Sequence, residues 1–221
     1  MTVKGSKTGS TDPVRPGAEQ WVPEDADLTQ LRAAAPACRG CELWEPATQV
    51  VFSTGSGQAK VVLVGEQPGD LEDREGVPFV GPAGRLLHRA MDEAGLPQRS
   101  AYLTNAVKHF RFTQRGKRRI HEKPDLGHLG ACKPWLDAEL AQVDPALVVA
   151  MGATAARAVL GPGIKVTQQR GEILLRETPR GERQFLVTVH PSSILRARDD
   201  REAAYQALVA DLAVAAGAIQ A

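Results

Sequence analysis

The stretch Lys60-Val-Val-Leu-Val-Gly-Glu-Gln-Pro-Gly-Asp70 decides how the chain is read. Four apolar, mostly β-branched residues stopped by Gly65 have the pattern of a strand buried on both faces. The next periodic segment, Pro82 to Gly95, carries Leu86, Leu87, Ala90, Met91 and Ala94 at helical spacing, with Pro at its start and Gly at its stop. The alternation then repeats. Ala101 to Asn105, Ala146 to Gly152 and Phe185 to His190 read as strands, and Pro134 to Val143, Ala153 to Leu160 and Arg201 to Ala216 as helices. Upstream, Ala26 to Ala37 suggests a short helix, while Glu172 to Arg176 pairs with the fourth strand as a hairpin. Strands alternating with helices imply a largely parallel sheet covered on both faces.

In such a sheet ligands sit outside the carboxyl ends of the strands. The first strand delivers Gly65-Glu-Gln-Pro-Gly-Asp70, the second Asn105, the third Gly152-Ala-Thr154 and the fourth His190-Pro-Ser-Ser193. Taken singly, each reads equally well as an ordinary turn. Together, a carboxylate, an amide and an imidazole on one sheet edge recreate a binding crevice.

The chain's 221 residues suit one domain plus a tail, drawn here as a flexible tail over residues 1–22 and a domain over 23–221. A hydrophobic content of 43% supports a substantial core. With a formal net charge of +1, any polyanion-binding surface must come from a local cluster. One such cluster runs from Lys108 to Pro124, with seven Lys or Arg residues against Glu122 and with Phe110 and Phe112 interleaved. It suits phosphate contacts, and its aromatics suit either base stacking or core packing. A solvated face is the bland alternative. Three cysteines, Cys38 and Cys41 in a C-x2-C pair and Cys132 far along the chain, argue against a disulfide framework and for a metal or cluster site in a reducing compartment. The first residues contain no apolar stretch, so no secretory signal is expected. The apolar run near the C-terminus is interrupted by Asp211 and is too short to span a bilayer. The expectation is a cytoplasmic monomer with no membrane partner.

Four motifs in order, GEQPGD, VPFVGPAG, TNAVK and HPSS, resemble the uracil-DNA glycosylase superfamily, most closely its iron–sulfur branch near family 4. The resemblance covers about residues 30 to 215. It implies a three-layer α/β/α sandwich around a four-stranded parallel sheet, and removal of uracil from uracil-containing DNA. Such an enzyme takes the base out of the stack and reads its edge in a pocket. By this resemblance Asn105 pairs with the uracil N3–H and O4 edge, Phe79 stacks on the base and Gln67 lies with the substrate. His190 hydrogen-bonds O2 as charge builds there, Glu66 stabilises the cationic sugar or polarises a nucleophile, and Ser192 contacts DNA.

Where four cysteines of the related branch hold a [4Fe–4S] cluster, this sequence has Cys38, Cys41, His109 and Cys132. Imidazole ligates iron in some iron–sulfur centres, and Cys3His also suits structural zinc; the resemblance favours the cluster. Lys117-Arg-Arg-Ile-His121 is similar to an insertion of the UdgX-type branch, as are Gln67 and the His109 replacement. In that branch the loop histidine attacks the sugar after uracil leaves, and the protein stays bonded to DNA. The resemblance thus implies a self-crosslinking glycosylase with His121 as nucleophile and Lys117, Arg118 and Arg119 on the DNA. The alternatives are a conventional multiple-turnover glycosylase, a non-catalytic sensor of uracil-containing DNA, and a redox protein.

Overall fold

The computed structural model describes residues 15–197 and 199–220. Its elements in chain order are α1 (Leu28–Ala34), β1 (Ser53–Gly55), β2 (Val61–Gly65), α2 (Asp70–Glu75), α3 (Pro82–Glu93), β3 (Ala101–Asn105), β4 (Phe112–Arg115) and β5 (Arg118–His121). There follow α4 (Leu126–Val143), β6 (Leu147–Met151), α5 (Gly152–Leu160), α6 (Val166–Gln169), β7 (Ile173–Thr178), β8 (Gly181–Thr188), α7 (Pro191–Arg196) and α8 (Arg201–Ala218). The main sheet runs β1-β3-β2-β6-β8-β7. Its four inner strands are parallel, as expected, and the outer two are antiparallel additions. Of these, β7 is the expected hairpin partner of the last parallel strand, whereas the short polar β1 had no periodic signal.

Side chains of β2 alternate between two cores, as the period of a strand requires. Val61 and Leu63 face α3 and α8 through Leu87, Met91, Leu208 and Leu212. Val62 and Val64 face α4 and α5 through Leu136, Ala155 and Ala156. A third cluster, built on Leu31, Leu43, Phe52 and Trp135, surrounds the three cysteines. Parallel register sets Gly65 beside Asn105, so both strands end at the same level.

Three boundaries differ from expectation. Helix α4 begins at Leu126 rather than at Pro134, which lies within it. Asp125 caps it by accepting from the His128 N–H at 3.1 Å, and His128 returns the bond to the Asp125 N–H. That reciprocal cap normally shows a Glu or Gln at the third position, so a His there hid it. The stretch expected to be a basic loop is a β-hairpin, β4 paired with β5, turning at Gly116 with φ +56°. The expected tail over 1–22 lies outside the described residues up to 14, but residues 15–22 are packed. Ala18 is buried, the Gly17 N–H donates to the Gly40 carbonyl at 3.1 Å, and Arg15 pairs with Glu42 at 2.7 Å and Asp125 at 2.6 Å. Salt bridges to groups far along the chain, which composition does not show, hold this segment down.

One charge pair is fully enclosed. Lys108 and Glu139 have side chains 1% and 0% exposed and are in direct contact. Lys108 Nζ also donates to Thr104 Oγ1 at 2.6 Å and to the Asn105 carbonyl at 2.9 Å. Glu139 also accepts from Tyr102 Oη at 2.9 Å and Thr104 Oγ1 at 3.0 Å. Lys108 therefore does not belong to the basic surface run in which its sequence position placed it. Removing one partner of a satisfied buried pair strands the other charge. Lys108→Met is expected to cost about 3–5 kcal/mol in urea unfolding at pH 7. Adding Glu139→Leu to it is expected to recover part of that loss; a single-variant loss under about 1 kcal/mol would show that the pair is not a constraint.

Candidate active site

The exits of β2, β3, β6 and β8 meet at one end of the sheet, and the shape of the site depends on what its glycines leave open. A Cβ on Gly65 would lie 2.3 Å from Asn105 Oδ1 and 2.8 Å from the Phe79 ring, so only glycine permits this approach. Phe79 is buried with φ +60°, a region bulky residues rarely occupy, and a Cβ on Gly84 would strike its carbonyl oxygen. Asn105 Oδ1 is buried without a hydrogen-bond partner. Buried acceptors are seldom left unpaired in a core, so Asn105 Oδ1 is a candidate for pairing with a ligand.

The expected strand over Phe185 to His190 runs instead from Gly181 to Thr188, and His190, two residues beyond it, caps α7. Its Nδ1 accepts from the Ser192 N–H at 3.2 Å and contacts Ser192 Oγ at 2.8 Å. Accepting at Nδ1 leaves the proton on Nε2, which makes that atom the donor. Burial lowers the His190 pKa to about 4, helped by the positive Arg196 and by His121. The ring is therefore a neutral donor at physiological pH. Gly152, at φ +87°, lets the β6 exit pass beneath it, with the place of a Cβ 3.0 Å from His190 Cβ.

Glu66 accepts a short hydrogen bond from Thr154 Oγ1, and its Oε1 stands 3.7 Å from His121 Nε2. His121 reaches this place because the hairpin is pinned at both strands. Gln67 Oε1 accepts from the Arg111 N–H at 3.1 Å, while Gln67 Nε2 lies 2.9 Å from both the Glu122 carbonyl and His121 Nε2. Arg119 binds Asp70 and Asp73, with 2.6 Å to Asp73 Oδ2, and donates to Thr48 Oγ1 at 3.0 Å. Phe110 stacks on Phe112 with ring centroids 5.1 Å apart, beneath the Arg119 guanidinium. Burial lowers the His121 pKa, Glu66 opposes the shift and Arg196 adds to it.

These contacts revise several expected roles. Arg119 is largely enclosed between two carboxylates and anchors the hairpin to α2, whereas Lys117 and Arg118 are exposed at its turn. Gln67 is buried and holds the hairpin rather than facing an open pocket. Ser192 orients His190, and Arg196 in turn donates to Ser192 Oγ at 3.1 Å. Glu66, Asn105, Phe79, His121 and His190 are brought to the same end of the sheet. Thr154 and Arg196 belong to the site and were not singled out from sequence, although Thr154 follows a strand end and Arg196 follows the His-Pro-Ser-Ser motif.

Cys38, Cys41, His109 and Cys132 line one cavity with Gly40, Val50 and Trp135. Burial pushes the Cys41 thiol up to about 11 and the Cys132 thiol up to about 12, and lowers His109 to about 4. Thiolates there need a strongly electropositive group, while the neutral imidazole keeps a lone pair. Two donors are aimed at sulfur: Trp135 Nε1 at Cys38 and the Lys108 N–H at Cys132, each at 3.3 Å. Such bonds tune sulfur-ligated clusters, so the donor set fits one. Among the described residues, no three Cys, His, Asp or Glu side chains converge as a single bound ion requires. Nor is any described helix long and apolar enough to cross a membrane.

An unsatisfied amide, a neutral imidazole donor and a carboxylate thus stand at the carboxyl ends of parallel strands, where open α/β sheets place their ligand sites. Residues 52–213 match the uracil DNA glycosylase superfamily, and the chain belongs to that family. It is 30% identical over 173 residues to a type-4 uracil-DNA glycosylase of Sulfurisphaera tokodaii, covering 76% of each chain. To a type-4 uracil-DNA glycosylase of Thermotoga maritima it is 34% identical over 164 residues, covering 74% of this chain and 80% of the relative.

The His190 assignment has a spectroscopic signature. Because its folded pKa lies below the unfolded value of about 6.5, the unfolded chain binds more protons in between. The contribution to stability is complete above about pH 6.5 and is lost as pH falls through about 4. Imidazole nitrogen resonances are expected to show His190 as the Nε2–H tautomer at pH 6, titrating near pH 4; a protonated ring at pH 6 would contradict this.

Proposed function

We propose that the chain excises uracil from DNA and then bonds itself to the resulting abasic sugar through His121. Family membership supports the excision, and the observation that carries the second step is the Glu66–His121–Gln67 contact. A flipped uracil between Phe79 and Asn105 would offer its N3–H to the unpartnered Asn105 Oδ1. As the C1′–N1 bond breaks, its electron pair leaves with the base and O2 gains negative charge. The His190 Nε2–H is the donor for that charge, held in place by the Ser192 bonds to Nδ1. The carboxylate of Glu66, oriented by Thr154, stabilises the electron-poor sugar.

His121 then competes with water. Gln67 Nε2 has two hydrogens but three acceptors within reach, Arg111 O at 3.2 Å, Glu122 O at 2.9 Å and His121 Nε2 at 2.9 Å. It can release His121 and remain satisfied. The freed Nε2 lone pair forms the bond to C1′, and the imidazolium produced is held by Glu66 until the ring's other proton is lost to solvent. A neutral imidazole already in place needs little further activation, and its effective concentration exceeds that of water. Exposed Lys117 and Arg118 suit phosphate contacts beside this point.

Cys38, Cys41, His109 and Cys132 would hold a [4Fe–4S] cluster, which would clamp the 38–41 loop, the β3 exit and α4 together. Ligands that do not converge on one point suit a polynuclear group better than a lone zinc ion. Freshly purified protein is then expected to be brown, with iron and sulfide near four per chain by the stoichiometry of such a cluster, roughly. Colourless active protein containing zinc would overturn this assignment.

The decisive variant is His121→Ser, tested on a labelled single-stranded uracil oligonucleotide by denaturing gel. Wild-type protein is expected to give a shifted band that survives heat and detergent. The serine variant is expected to lose that band and still yield alkali-cleavable abasic DNA, since Glu66, Asn105 and His190 remain. A surviving band in the variant would assign the nucleophile elsewhere. Loss of base release with the band would make His121 part of the excision machinery.

A further inference from the structure

Beside the base pocket, between α3, α7 and α8, lies a groove of about 680 Å³ that none of these roles uses. Arg85 and Arg89 line it from α3, Leu195 from α7, and Arg201, Glu202 and Tyr205 from α8. Three guanidinium groups thus meet two carboxylates, Glu202 in the lining and Glu93, which stands 3.5 Å from Arg89, in a protein whose net charge is only +1. Neither Arg85 nor Arg201 has a carboxylate partner among the described residues; Arg85 donates only to the Val80 carbonyl, at 3.2 Å. Arg89 is fixed differently. Its guanidinium carbon sits 4.1 Å from the Tyr205 ring centroid and its Nε donates to Tyr205 Oη at 2.8 Å. The Tyr205 ring is buried beneath that guanidinium, so the open face is the Arg89 plane it backs, beside Leu195, a surface of the kind on which unpaired bases stack.

Two of the groove's walls are joined directly to the strand exits. Helix α3 starts three residues after Phe79, and α7 starts directly after His190, so its walls grow from the loops that hold the pocket. We propose that this groove binds one nucleotide of the uracil-bearing strand next to the flipped base. Arg85 and Arg201 take its phosphate, and its base stacks on the Arg89–Tyr205 pair against Leu195. A base paired in duplex DNA is stacked on both faces and cannot enter, so the occupant is unpaired. The inference rests on the reading of DNA as substrate, and it extends that reading to a preference for single-stranded flanks.

The test compares uracil oligonucleotides with flanks of about two and about eight nucleotides per side, spanning the usual range of single-strand site sizes. Uracil release is followed in single turnover against protein concentration, which separates half-saturation from the maximal rate. For the wild type, the longer flank is expected to tighten half-saturation at least about tenfold, the worth of one stacked base and its phosphate. Arg85→Ala/Arg201→Ala is expected to lose most of this gain and to flatten the salt dependence by about 0.7 per lost phosphate contact. Arg85→Lys/Arg201→Lys, which keeps the charge, is expected to regain the salt slope. Arg89→Lys is expected to lose part of the gain at unchanged slope, because the charge stays and the stacking plane goes. A double alanine variant that keeps both the full length gain and the wild-type slope overturns the groove assignment alone. A wild-type protein that releases no uracil at either length overturns the proposed function, and the groove assignment with it.

Discussion

The Lys108 ammonium is surrounded by the Glu139 carboxylate, Thr104 Oγ1 and the Asn105 carbonyl, and its own backbone N–H points at Cys132 sulfur. A charge pair excluded from water is tolerable only when geometry and additional hydrogen bonds offset its desolvation. Here Tyr102 and Thr104 supply those bonds from β3, and Glu139 brings α4 against the same strand. The consequence is positional. Asn105, whose side chain stands unpaired at the strand exits, and His109, which lines the cysteine cavity, leave β3 within five residues and are held by the residue between them. Its carbonyl in turn accepts from the Val51 N–H at 2.8 Å, tying in the segment that leads to the edge strand. The two chemical centres of the molecule share one rigid stem.

Electrostatics divide the remaining charges by depth rather than by sequence neighbourhood. Arg119, Asp70 and Asp73 form an internal fastening for the hairpin, and Arg15, Glu42, His128 and Asp125 form another across the cysteine loop. The Arg15 guanidinium holds the Glu42 carboxyl down to about 2, so this second fastening persists in mild acid. Lys117 and Arg118 remain exposed at the hairpin turn, and the arginine groove lies beside α3. Local basic surface of this kind arises in a near-neutral protein where the nearby carboxylates, here Asp70 and Asp73, are already paired within the fold.

The inner sheet was legible because three strands, and the last half of the fourth, are buried on both faces and read as largely apolar runs ending in turn residues. The strand exits followed, since a parallel sheet gathers them at one end, and Glu66, Asn105 and His190 each stand at or just past one. Other features were closed to such reading for definite reasons. β1 is a three-residue polar edge with no period, and β4 and β5 bury little, so their pattern is that of a solvated run. Lysine is almost never fully buried unless paired, and the partner of Lys108 lies 31 residues along the chain. Arg119 has the same history, with carboxylates 46 and 49 residues upstream. The fate of a charge depends on tertiary pairing, which single-sequence periodicity does not contain.

The hairpin carrying His121 forms a sheet of its own and shares no strand with the main one. It is fastened chiefly by side chains, Gln67 at one end and Arg119 at the other, onto loops and a short helix that the sheet positions regardless. Such an attachment makes the hairpin a cassette. Exchanging it, with the two or three residues that grip it, would change what stands opposite Glu66 without rebuilding the strand exits. Evolution could therefore install or delete a hairpin of this kind on a common scaffold in few steps, and a protein engineer can graft it by the same joints.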